Sequence, residues 1–149
     1  MAFRFSLEPV LRLRISYERL ERLRLLAISA MLVRVREEIA AAAREEAAAR
    51  NARSEMLSSG TAAAELQLGV FAEQARARRN RELFDRLTTL ERQHTKQSRL
   101  YQAAQRKREV MESLQERKLR EYQREQDRKA QQSIDELYLL RRGSSVQYE

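Results

Sequence analysis

The chain has 149 residues, of which 35% are charged, with three glycines, one proline and neither cysteine nor tryptophan, too few turn residues to punctuate a globular domain of many elements. Without cysteine there is no disulfide scaffold, thiolate zinc site or thiol nucleophile, and the solitary His94 offers no imidazole pair for metal or general-base chemistry. The net charge of +8 raises nucleic acid or an anionic membrane surface as a partner. Acids are nevertheless interleaved with the bases: residues 1–60 carry 11 Lys/Arg against 8 Asp/Glu, and residues 61–149 carry 19 against 14. A phosphate-binding face segregates its charge, which argues against both.

Ala, Leu, Glu, Arg, Lys and Gln dominate, and the residues that favour strands never alternate over a long run. These features predict an all-α fold: a long antiparallel two-helix coiled-coil hairpin, one domain over 1–149, with a C-terminal helical overhang. A narrow pair of helices has no dry concave pocket for a substrate, so the expected role is binding other proteins, without catalysis, cofactor or metal.

The first helix is expected over about 7–57. In Phe3-Arg4-Phe5-Ser6-Leu7-Glu8-Pro9-Val10, Ser6 can cap the first amides, Glu8 suits the positive end of the dipole, and Pro9 is tolerated in the first turn. Two aromatics ahead of the cap serve either as a staple or as an anchor for a partner. Apolar residues then recur at spacings of three and four. Val10, Leu13, Tyr17 and Leu20 form one stretch, and Leu25, Ile28, Leu32, Val35, Ile39 and Ala42 form the next, offset by one position. The most apolar run, Leu25 to Val33, is nine residues between Arg24 and Arg34, against the roughly 20 that a bilayer span requires. It lies too far from the start for a signal peptide, so a cytoplasmic location is expected.

Ser58-Ser59-Gly60-Thr61 marks the turn, expected over about 58–62, with Gly69 as a rival site that extends it to 70. Thr61 and Glu65 can start a second helix over about 63–141, ahead of a polar tail at 142–149. Its seam is read at Leu83, Leu87, Leu90, His94, Gln97, Tyr101, Ala104, Arg108 and Met111. With the turn near 59–60, residues whose numbers sum to about 119 should face each other, at equal rise in both helices. That pairing puts Tyr17 near Tyr101, Val10 near Val110 and Phe3 near residue 117, and leaves Lys118 to Leu140 as an overhang with Arg120, Arg124 and Arg128 stacked four apart.

The opening Phe3-Arg4-Phe5-Ser6-Leu7-Glu8-Pro9-Val10-Leu11-Arg12-Leu13-Arg14 resembles the start of the FliJ family of flagellar export proteins. Lys107-Arg108-Glu109-Val110-Met111-Glu112-Ser113-Leu114-Gln115-Glu116-Arg117 through Tyr122, and Gln131 to Leu137, are similar to that family's C-terminal helix. The resemblance implies a component of the flagellar type III export apparatus. Its coiled coil would sit as a stalk in the pore of the hexameric export ATPase, link it to the membrane export gate protein, handle export chaperones and act at the cytoplasmic face of the inner membrane. On this reading the residues expected to meet a partner are Phe3, Phe5, Arg12, Arg14, Arg117, Arg120, Tyr122, Arg124 and Arg128. The competing readings are an injectisome stalk protein and a basic coiled coil on nucleic acid or anionic lipid.

Overall fold

The computed structural model of the chain describes residues 3–60 and 63–145. Two helices make it up, α1 over Glu8–Ser59 and α2 over Ala63–Ser145, and they pack antiparallel against each other as a helical hairpin. Thr61 and Ala62, on which part of the expected turn falls, lie outside the described residues, as do residues 146–149 of the expected tail.

Helix α1 opens with the Phe5 carbonyl accepting from the Glu8 N–H (3.2 Å) and the Leu7 carbonyl accepting from Leu11 (3.0 Å). Backbone thereby fills the capping role for which Ser6 is placed in the sequence. At the other end the Ser58 and Ser59 hydroxyls donate to the carbonyls of Glu55 (2.7 Å) and Met56 (3.1 Å). Gly60 follows with φ +75°, the left-handed position just past a helix end where a side chain would be strained. Gly69 lies within α2, and α2 continues through Gly143 to Ser145. A glycine inside a helix costs only about 1 kcal/mol relative to alanine, a penalty that a long helix absorbs.

The chain divides into two compact units. The unit formed by residues 19–102 holds the apolar centre, where Leu32, Val35 and Leu90 cluster with Ile39 and Leu87 packed against them, and Leu83 and Ala42 are buried as well. Val35 is wholly buried, at 0% exposure. Around that centre the helices are tied by polar groups. Gln97 is buried and its amide donates to the Glu21 backbone carbonyl (3.2 Å) and to the Glu21 carboxylate. Arg36 pairs with Glu91 (3.3 Å), Arg79 with Glu45 (3.6 Å) and Arg53 with Glu73 (2.5 Å).

The unit formed by residues 1–18 and 103–149 pairs the two chain ends, with Leu11 buried and Arg14, Glu18, Ala104, Arg108, Met111 and Gln115 half-buried. In α2 all nine residues of the expected seam, from Leu83 to Met111, are buried or half-buried. In α1 the later stretch, Leu25 to Ala42, is likewise the inward face.

The earlier stretch is not. Val10, Leu13, Tyr17 and Leu20 are exposed, and the inward residues there are Leu11, Arg14, Glu18 and Glu21. The three-four rhythm of α1 therefore runs without an offset from Leu11 to Arg53, with inward Glu18 and Glu21 bonded by Arg108 and Gln97 of α2. The pairing is also shifted. Phe3 meets Tyr122, Gln115 meets Glu8, Leu32 packs with Leu90 and Arg36 pairs with Glu91, so facing numbers sum to about 122–127 instead of about 119, which corresponds to a turn centred about one to four residues later, while the long Gln97 side chain reaches diagonally to Glu21. Tyr17 and Val10 accordingly face away from Tyr101 and Val110, and the overhang begins after Tyr122 instead of at Lys118.

Candidate functional site

The residues expected to meet a partner all fall in the unit that joins the chain ends. The leader before α1 is pinned at its start: the Phe3 ring lies 5.6 Å from that of Tyr122, tilted by 50°. This tilted aromatic contact is of the kind that stabilises beyond simple burial. Phe3, Phe5 and Tyr122 are half-buried, and the Phe3–Tyr122 contact serves in part to hold the leader down on α2.

Arg12 is exposed and reaches back one turn to Glu8 (3.4 Å), while Arg14 faces the seam. Glu8 also accepts from the Gln115 amide (3.1 Å). The strongest polar group of the unit lies one turn further along. Arg108 bonds both Glu112 on its own helix and Glu18 on α1, and those bonds, Glu112 first, raise its pKa above the ordinary guanidinium value. The side chains of Arg108 and Glu18 are 22% and 16% exposed, so this is a partly desolvated, charge-assisted tie between helices.

Beyond Tyr122 the character changes, since every residue from 123 to 142 is exposed. Arg117, Arg120, Arg124 and Arg128 are all solvent-facing. Glu125 lies 3.9 Å from Arg128 and 3.6 Å from Lys129, and Lys118 donates to Glu121 at 2.8 Å. That bond, helped by the charge of Lys118, holds the Glu121 carboxyl below its usual range. Farther on, Ile134, Leu137 and Tyr138 lie on one helical face, all exposed, beside exposed Leu139 and Leu140. This cluster, with its spacing of three and four residues, lies beyond the arginines that the sequence singles out in the overhang.

The arrangement presents a leader fastened at Phe3 and a projecting helix carrying arginines on one stretch and apolar residues on the next. Among the described residues no group of three or more acidic or histidine side chains is gathered as a metal site.

A family model described as flagellar FliJ protein matches residues 3–145. No curated protein and no solved structure matches the chain.

Proposed function

Because the chain belongs to the FliJ family and is thus a component of the flagellar export apparatus, we propose that it works there as a non-enzymatic helical stalk that engages the export ATPase ring through its terminal end. The observation that carries this reading is the helix beyond Tyr122, which leaves its partner and exposes all of its side chains from 123 to 142. A single helix with arginines spaced four apart is thin enough for the pore of a hexameric ring and offers a different charge to each of the surrounding subunits. The fastened leader, with Phe3 against Tyr122 of α2, gives the inserted end a fixed shape.

In this reading Arg117, Arg120, Arg124 and Arg128 face the ATPase, and Arg12 and Arg14 stand at the mouth of the ring. The rest of the hairpin is left for the export gate protein and for export chaperones, with the assembly at the cytoplasmic face of the inner membrane.

The test is the triple reversal Arg120→Glu, Arg124→Glu, Arg128→Glu with ATPase stimulation as readout and circular dichroism as the fold control. Loss of stimulation with unchanged helicity supports the assignment. Undiminished stimulation by a fully helical variant rejects it.

A further inference from the structure

Within the unit of residues 19–102, the side of α1 turned away from α2 is apolar where a solvated helix face would be polar. Leu20, Leu23, Leu26, Met31 and Val33 are exposed there, Leu23 by 58% and Leu26 by 55%, with Ala27 and Ala30 exposed among them. The inward positions of the same stretch are Glu21, Leu25, Ile28, Leu32 and Val35, so both sides of this helix are apolar. Only one of them is covered by α2.

The charges of this stretch divide in the same way. Between residues 19 and 36 the ionisable groups are Arg19, Arg22, Arg24, Arg34, Arg36 and one acid, Glu21. Glu21 is half-buried in the seam, where it accepts from Gln97 and from Arg24 (2.8 Å). The five arginines are exposed. Arg24 is paired with Glu21 and Arg36 with Glu91 of α2, so the charge this face carries outward is that of Arg19, Arg22 and Arg34, until Glu37 ends the run.

We infer that the outward face of α1 from Arg19 to Arg36 is a docking surface for an anionic lipid bilayer, on which the helix lies in the plane of the headgroups. Charge complementarity selects an anionic partner. Shape selects a plane. The exposed apolar residues spread over a broad convex arc instead of the narrow stripe that a partner helix reads, with Arg19 and Arg34 at its two ends and Arg22 along one edge, from which their long stems can reach headgroups while leucines enter the acyl boundary. No described helix is long and apolar enough to cross a membrane, so the contact is one of lying on the surface. The inference does not depend on engagement of the ATPase.

The experiment is vesicle flotation of the full chain. Vesicles of phosphatidylcholine alone are compared with vesicles containing 30% phosphatidylglycerol, a mole fraction of roughly the scale at which polybasic segments bind. Binding to the anionic vesicles alone, weakened by salt, is expected. Leu23→Gln with Leu26→Gln should lower partitioning at least about tenfold, through lost burial of two leucines. Arg19→Gln, Arg22→Gln and Arg34→Gln should each lower it about fivefold. All these side chains are exposed, so helicity by circular dichroism stays unchanged. Partitioning that survives both sets of changes, or an absence of binding to anionic vesicles, overturns the inference. An acidic amphipathic peptide that binds this face when vesicles do not overturns it in favour of a protein partner.

Discussion

Val35→Ala tests the packing that holds the 19–102 unit together. Val35 has no exposed surface and packs with Leu32 and Leu90, so the change deletes two buried methyl groups, worth about 0.8 kcal/mol each in transfer. The cavity left behind adds to that loss, and alanine's higher helix propensity returns about half a kcal/mol. The net expectation is a destabilisation of about 1.5–2 kcal/mol. Val33→Ala makes the same chemical change two residues away at a side chain 54% exposed. There the propensity gain offsets most of the loss, and stability should stay within about 0.5 kcal/mol of the parent. The assay is urea unfolding followed by helical circular dichroism for both variants and the parent. Equal midpoints for the two variants would refute the inward assignment of Val35, and with it the seam of α1.

Three further outcomes follow from the geometry. Arg108→Met strips Glu18 and Glu112 of their shared donor and should cost about 1–2 kcal/mol, read by urea unfolding, while adding Glu18→Gln should recover most of it. Gly60→Ala forces a side chain into the left-handed region and should cost about 1 kcal/mol by the same measurement, although nothing lies within 4 Å of the added methyl. The Glu73 carboxyl is held below its ordinary range, first by the hydrogen bond from Arg53 and then by its charge, so its stabilising effect is present above the unfolded carboxylate pKa and disappears as the pH falls through the lowered folded value. In Arg53→Ala, a carboxyl titration by NMR should therefore find Glu73 moved up toward the ordinary range, and an unmoved Glu73 would exclude Arg53 as the cause.

The α2 seam was legible because its apolar residues and its polar ones, His94, Gln97 and Arg108, keep one unbroken rhythm that intervening residues do not mimic. The first turns of α1 were harder. There Val10, Leu13, Tyr17 and Leu20 imitate a seam one position away from the true one, and hydrophobicity alone favours them over Arg14, Glu18 and Glu21. The answer lies in partners that a one-dimensional pattern does not display, the Gln97 amide and the Arg108 guanidinium on the other helix. Counting back from Leu25 by fours and threes would have reached Glu21, Glu18, Arg14 and Leu11. The pairing register was read from the position of Gly60 alone, and Leu32 with Leu90 and Phe3 with Tyr122 now define it. Of the residues expected to meet a partner, the sequence could place Arg120, Arg124 and Arg128 outward by spacing, but not the fastening of Phe3 to Tyr122.

The two units are joined internally by different forces. Leucine and valine close the centre of the 19–102 unit with exposed ion pairs such as Arg36–Glu91 around it, whereas the terminal unit relies on Glu18, Arg108, Glu112, Glu8 and Gln115 as much as on Leu11. Dissolved ions weaken the exposed ion pairs of the first and leave its apolar centre and the partly buried Arg108–Glu18 tie of the second much less affected, since at 1 M the screening distance falls to about 3 Å. Ionic strength thus acts on the rim of the 19–102 unit and spares both its leucine belt and the N-terminal leader, which the Phe3–Tyr122 ring contact holds to α2.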